Sequence, residues 1–163
     1  MAVLVKLPVQ GPTVLLREAV ADDVPAIVEL LAADQVGATR DGIASQEDLQ
    51  LYLRAFSALD TDPAHLLLVG TDGGEVIATI QLSFLPGLAR RGALRAQVEA
   101  VRVRKDYRRQ GLGAAVFVWA IGEARRRGCA LVQLTTDKSR DDAHRFYERL
   151  GFSASHEGFK LKL

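Results

Sequence analysis

Apolar residues fall along the chain in two rhythms, one of about 3.6 residues and one of two, and the switches between them mark out the elements. Thr13 to Arg17 reads as a first strand. Asp22 caps a predicted helix in which Val24, Ile27, Val28 and Leu31 keep helical spacing, with Pro25 tolerated in the first turn. Ser45 and Asp48 have the spacing of a capping box, and Leu49, Tyr52, Leu53 and Phe56 then mark the buried stripe of a second helix. Leu66 to Val69 and Val76 to Phe84 flank Asp72-Gly73-Gly74, which predicts a β-hairpin ended by Pro86-Gly87. A loop with Arg90 and Arg91 leads into a strand from about Arg95 to Val103.

Arg108-Arg109-Gln110-Gly111-Leu112-Gly113 joins that strand to a helix running to about Arg127. The helix is apolar at Leu112, Val116, Phe117, Trp119 and Ile121, so its first half belongs against a sheet. Leu131 to Leu134 supplies another strand, and Ala143, Phe146, Tyr147 and Leu150 define a short helix stopped by Gly151. Ser153 to Leu163 is predicted to form a closing hairpin. The order of elements predicts an α/β, or α+β, fold with a mixed sheet in a single domain over residues 1–163.

Composition narrows the class. With 163 residues, 48% hydrophobic, the chain can bury a core without disulfides or metal. A net charge of +1 argues against nucleic-acid binding through bulk charge, so any basic site is local. No apolar run approaches the roughly 18 residues of a membrane span. Cys129 is the one cysteine, and the N-terminus lacks the apolar core of a signal peptide; a cytoplasmic location is the expectation. His65, His144 and His156 show no metal-ligand spacing with one another or with Cys129. No metal is expected.

The glycine loop carries the first chemical signal. Glycine lets the backbone turn sharply and approach a ligand, and the first amides of the following helix have no helical partners. Such amides bind anions, and Arg108 and Arg109 strengthen the pull. A P-loop is disfavoured, because the Gly-Lys-Ser/Thr run is missing. The Arg125-Arg126-Arg127 triplet also suits the negative end of a helix dipole, a plainer reading than nucleic-acid contact.

The strand with Glu99, Val101 and Val103, the loop with Arg108, Gly111 and Gly113, and the run Ala143 to Phe152 together resemble the GCN5-related N-acetyltransferase (GNAT) family. The loop matches the family's Gln/Arg-x-x-Gly-x-Gly/Ala signature, and Ala143-His144-Arg145-Phe146-Tyr147-Glu148-Arg149-Leu150-Gly151-Phe152 is similar to its closing helix and turn. Within the family the chain is similar to bacterial small-molecule acetyltransferases, including the tabtoxin-resistance type. The resemblance implies a mostly antiparallel central sheet flanked by about four helices, and it implies acetyl-CoA as the donor. Coenzyme A would lie with its pyrophosphate on Arg108, Arg109, Gln110, Gly111, Leu112, Gly113 and Ala114, and its pantetheine arm along Val101, Arg102 and Val103. From Val103 back to Glu99 is about 13 Å of strand. The arm can therefore run from the loop towards Glu99.

Acetyl transfer to an amine needs a free lone pair, a polarised thioester carbonyl and a protonated leaving sulfur. If the strand is regular, Glu99 faces the same way as Val101 and Val103 and can take the ammonium proton through water. Glu99 reads equally as a residue that positions the amine or pairs with a basic side chain. Tyr147 occupies the position of the family's recurrent general acid, and its helical spacing also suits a ring packed in the core. A strand amide near Val101 would polarise the carbonyl. Where the family commonly has an asparagine three residues before the closing helix's alanine, this chain has Arg140, which either reaches a CoA phosphate or stays in solvent. Arg90 and Arg91 read as a solvated loop or as recognition of an acidic substrate.

These residues lead to the expectation of a direct N-acetyltransfer to the primary amine of a small molecule. Cys129 lacks a motif-supported base for a covalent acyl-enzyme. A protein or peptide amine as acceptor, and a non-catalytic acyl-CoA-binding module, are the alternatives. The resemblance also implies a homodimer.

Overall fold

The structure is a computed structural model that describes residues 4–34 and 36–163. The chain divides into two compact units, Met1–Gln133 and Leu134–Leu163. The first unit holds β1 (Leu4–Lys6), β2 (Leu15–Glu18), α1 (Val24–Ala32), α2 (Gln46–Asp60), β3 (His65–Asp72), β4 (Glu75–Leu85), the single turn α3 (Ala89–Gly92), β5 (Arg95–Val103) and α4 (Leu112–Arg126). β6 (Leu131–Leu134) runs up to the boundary, and the second unit holds α5 (Asp141–Arg149). Five helices and six strands thus stand among the described residues, an α+β fold.

The sheet follows chain order, β1-β2-β3-β4-β5-β6, and the first four neighbouring pairs are antiparallel. The Ala130 N–H donates to the Leu94 carbonyl at 2.8 Å, and the Gln133 side-chain amide donates to Gln97 at 2.7 Å. Both contacts have the same sequence offset, so β6 runs parallel to β5.

Two layers of helix use the two faces of the sheet. Val69 on β3 packs with Ala19 and Ile27, and Leu31, Phe56 and Leu67 close around them, which puts α1 and α2 on one face. The other face presents Leu16, Leu68, Ile80, Leu82 and Val98, all buried, and α4 contributes Leu112, Val116, Phe117, Ala120 and Ala124 to the core. Arg127 follows α4 and stacks on Phe84 with its guanidinium 4.1 Å from the ring centre.

The cap expected at Ser45 has the predicted chemistry. The Asp48 N–H donates to Ser45 Oγ at 3.1 Å, and Asp48 Oδ2 accepts from the Ser45 N–H at 3.0 Å, a capping box that starts α2. At α1 the structure replaces Asp22 with Asp23. Arg17 grips the buried Asp23 carboxylate with both guanidinium ends, at 2.7 and 2.9 Å, while the Val20 N–H donates to it at 2.8 Å. Burial pushes Asp23 up, but the Arg17 and Val20 hydrogen bonds outweigh it and hold the carboxyl below its ordinary value.

The arginine triplet also has a structural occupation. Arg126 and Arg127 both bind the buried Glu123, which holds its carboxyl below the ordinary glutamate value. Arg127 further donates to the Pro63 carbonyl at 3.0 Å. Cys129 is half-buried, and burial raises its thiol.

Two strand expectations need correction. The first predicted strand starts at Leu15 rather than Thr13, and β1 pairs with it, its Val5 opposite Leu16. The predicted closing hairpin over 153–163 does not form: that stretch has no strand, although Phe159, Leu161 and Leu163 alternate with lysines. Period-two alternation marks a residue's face in a strand but supplies no partner strand.

Candidate active site

β5 is the axis of the site, and it is not regular. Ala100 takes φ 53°, and the register with β4 slips between Thr79 and Gln81. One extra residue on β5 therefore opposes β4, which is a β-bulge. Glu99 pairs with Gln81, Arg102 with Thr79 and Val103 with Ala78. Opposed residues share a face and neighbours alternate, so Glu99 and Arg102 point to the α1/α2 face. The expectation that Glu99 shares a face with Val101 and Val103 is corrected: the bulge turns both valines the other way.

On the Glu99 face the sheet carries a polar surface. Gln97 lies opposite Ser83, and Ser83 opposite His65, with 2.8 Å between Ser83 Oγ and His65 Nδ1. Gln81 donates to the same hydroxyl at 3.5 Å, and Gln133 extends the row through Gln97. His65 also lines a cavity of about 280 Å³ with Phe56, Asp62 and Arg127. Arg102 reaches the end of α1, with Nε 3.4 Å from Asp34, and its Nη1 donates to the Val101 carbonyl at 2.8 Å. The bulge is thereby tied to the helix layer above it. Glu99 is exposed.

After β5 the chain is braced before it reaches the glycine loop. Arg104 binds Glu75 at 3.0 Å and Asp106 at 2.9 Å, and stacks 4.9 Å from the Tyr107 ring centre. The Tyr107 hydroxyl donates to Asp72 in the β3–β4 hairpin at 2.9 Å, a bond to a carboxylate that raises the phenol's pKa. Arg108 Nε donates to the Val103 carbonyl and the Gln110 amide to the Asp106 carbonyl, each at 2.9 Å. These bonds spend side chains on holding the loop's entry.

The loop itself leaves its amides unspent. Arg109 has φ 62° and Gly111, the N-cap of α4, φ 81°, both left-handed. The first amide to enter the α4 ladder is that of Ala115, which donates to the Gly111 carbonyl at 2.9 Å. Among the described residues, no amide from Arg109 to Ala114 donates to a carbonyl or side chain. Arg108 and Arg109 are exposed and have no carboxylate partner among the described residues. Six amide donors beside two such guanidinium groups fit the pyrophosphate of coenzyme A.

Strain is concentrated around this strand. The non-glycine residues with positive φ among the described residues are Arg90, Arg91, Ala100 and Arg109, all in the segment that contains β5 and its two flanks. Left-handed backbone costs about 1–2 kcal/mol for such residues and clusters at functional sites.

In the second unit, α5 carries Tyr147. Its half-buried ring meets Phe146 edge-on at 5.4 Å and Phe152 at 6.0 Å. The Phe152 N–H donates to the Tyr147 carbonyl at 3.1 Å, closing the turn around Gly151, which has φ 91°. Arg140 is the N-cap of α5, and its N–H donates to the Asp137 carbonyl at 3.0 Å. Sequence reasoning missed the polar row of His65, Ser83, Gln97 and Gln133. The hairpin pattern, with Gln81, Ser83, Gln97 and Glu99 spaced by two, held the signal for most of it.

The chain belongs to the acetyltransferase (GNAT) family, whose model matches residues 25–152. It is an acetyl-CoA-dependent N-acetyltransferase of that type. An aminoalkylphosphonate N-acetyltransferase of Salmonella typhimurium strain LT2 is 29% identical over 152 residues, 93% of each chain. A Bacillus halodurans C-125 protein described as a transcriptional regulator is 43% identical with a TM-score of 0.87, over 92% of this chain and 99% of that one. A predicted acetyltransferase of Clostridium acetobutylicum, solved with acetyl-CoA, shares the fold with a TM-score of 0.73 at 16% identity, over 92% and 96% of the two chains. No helix among the described residues is long and apolar enough to cross a membrane.

Proposed function

We propose that this enzyme acetylates the primary amine of a small molecule by direct attack on acetyl-CoA. The run of undirected amides from Arg109 to Ala114 carries the reading. Those amides, with Arg108 and Arg109, hold the pyrophosphate, and the backbone of Val101, Arg102 and Val103 takes the pantetheine arm. The Salmonella relative, named for a small amine-bearing acceptor, supports the choice of a small molecule.

Glu99 receives the ammonium proton through water, freeing the lone pair that forms the new N–C bond. An amide of β5 near Val101 polarises the acetyl carbonyl. As the C–S bond breaks, the Tyr147 hydroxyl gives its proton to sulfur, and Arg140 meets a CoA phosphate. The nitrogen loses its second proton as the amide forms, which restores the Tyr147 hydroxyl through solvent, and Glu99 returns its own proton to solvent.

Tyr147→Phe tests the assignment. Turnover falls by roughly 10²- to 10⁴-fold, the range for a general acid, while the Kd for CoA stays within a few-fold of wild type. Unchanged turnover under conditions where chemistry limits the rate would remove Tyr147 from this role.

A further inference from the structure

Arg95 and Glu99 stand on one face of β5. Their partners Leu85 and Gln81 lie on the same face of β4, and both residues precede the bulge at Ala100. Four residue steps place their Cα atoms about 13 Å apart. Gln97 sits midway, beside Ser83 and in contact with Gln133. Along one face the strand therefore presents a guanidinium, a row of amide and hydroxyl groups, and a carboxylate, in that order.

Charge on the surrounding chain is one-sided. Between Glu75 and Glu99 there is no acidic residue, and the only charged side chains are Arg90, Arg91 and Arg95. Several other arginines are matched: Arg17 with Asp23, Arg102 with Asp34, Arg104 with Asp106, and Arg126 and Arg127 with Glu123, whereas Arg108 and Arg109 belong to the donor loop. Among the described residues Arg90, Arg91 and Arg95 have no ion pair. In a chain of net charge +1, that is a local concentration of three unmatched positive charges.

The backbone adds a second observation. Arg90 (φ 55°, ψ 40°) and Arg91 (φ 60°, ψ 41°) are consecutive left-handed residues in α3, held by a bond from the Gly92 N–H to the Leu88 carbonyl at 3.1 Å. Arginine gains nothing from that conformation, and a solvated loop would relax it. The turn fixes where the two side chains leave the backbone.

We propose that the acceptor carries an oxyanion as well as its amine, and that Arg95, with Arg90 and Arg91, binds that oxyanion while the amine lies at Glu99. The proposal rests on the acetyl-transfer reading of the site and names its substrate class. Guanidinium groups suit carboxylate and phosphonate alike, because their donors match two oxygens at once. About 13 Å of strand separates the two Cα atoms, with Gln97 and its neighbour Ser83 between them. That span suits a molecule of a few carbons.

The test compares three primary amines of similar size, 2-aminoethylphosphonate, β-alanine and propylamine, on the wild type, Arg95→Ala, Arg95→Lys and an Arg90→Ala/Arg91→Ala double variant. The expected wild-type KM is at least tenfold lower for an anionic acceptor than for propylamine, and the better of the two anions identifies the headgroup. Arg95→Ala raises the anionic KM by tenfold or more beyond any change with propylamine, and Arg95→Lys recovers part of the loss. The double variant lies on exposed residues and gives a smaller shift in the same direction, so a folding defect in Arg95→Ala does not obscure the result. Equal KM values for all three amines, or an equal loss for charged and neutral acceptors, overturns the proposal. If no amine is acetylated, the acetyl-transfer reading fails, and calorimetry of 2-aminoethylphosphonate with the CoA-loaded protein decides the anion site: binding weakened tenfold by Arg95→Ala upholds it, and no binding to the wild type overturns it.

Discussion

Glu99 and Arg102 share a face of β5 although three positions separate them, because Ala100 takes φ 53° and inserts an extra residue between them. In a regular strand an odd separation puts two side chains on opposite faces. Here the left-handed residue directs a candidate base and an arginine tied to Asp34 to the same side of the sheet.

That geometry predicts the outcome of substitutions at Ala100. Ala100→Gly removes the left-handed penalty but adds chain entropy, and the two nearly cancel, leaving stability within about 1 kcal/mol of wild type. Ala100→Val sets a β-branched side chain in the same conformation and costs about 2 kcal/mol or more, with acetyl transfer reduced because the strand relaxes towards regular register. Urea melts read alongside turnover check both, and a fully active Ala100→Val would show that the bulge does not set the position of Glu99.

Gly111 makes a separate prediction for the donor side. Its φ of 81° lets the chain enter α4 with the preceding amides undirected, and among the described residues nothing beyond its own chain neighbours and helix backbone lies within 4 Å of where a Cβ would stand. Gly111→Val is therefore opposed by backbone conformation rather than by a clash. CoA affinity falls tenfold or more in a direct binding assay, while the melting temperature drops only modestly. Undiminished affinity would count against the loop as the pyrophosphate site.

Glu99→Gln separates the base from the donor site. The amide keeps the size and loses the ability to take a proton, so kcat/KM falls about 10²-fold at neutral pH with CoA affinity preserved. If Glu99 only positions the amine, the loss appears mainly in KM, and kcat holds.

Acid sensitivity follows from two carboxylates remote from this site. Asp23 and Glu123 are held below their ordinary values by Arg17 and by Arg126 with Arg127. Their ionised forms therefore favour the folded state at neutral pH, and that contribution disappears as pH falls below about 4 and through the depressed folded values. Glu123→Gln lowers the melting temperature by about 2–4 °C at pH 7, a modest effect because Arg126 is largely in solvent. The gap between variant and wild type narrows as pH falls below about 4, and melts across that range measure it.

Local chemistry made much of the fold legible. Ser45 and Asp48 announced their helix, Asp72-Gly73-Gly74 its hairpin, and β5 begins and ends where its apolar pattern does. Each of those signals is completed by residues close in sequence. The bulge at Ala100 is different, because its register depends on Thr79 and Gln81 in β4, and alanine in a strand carries no mark of a left-handed turn. For the same reason the face that Glu99 occupies was not legible in the sequence. The end of the chain is the opposite case: Phe159, Leu161 and Leu163 alternate with lysines, and no strand forms there.

The slip at Ala100 has a protective side. A flat strand with free backbone groups on one side is a template for pairing with other chains. A kink at Ala100 and the charges of Arg102 and Arg104 interrupt that template within five residues of Glu99. A regular, uncharged version of the same segment would hold the register of a sheet and invite aggregation; the kink and the two charges discourage a neighbouring strand.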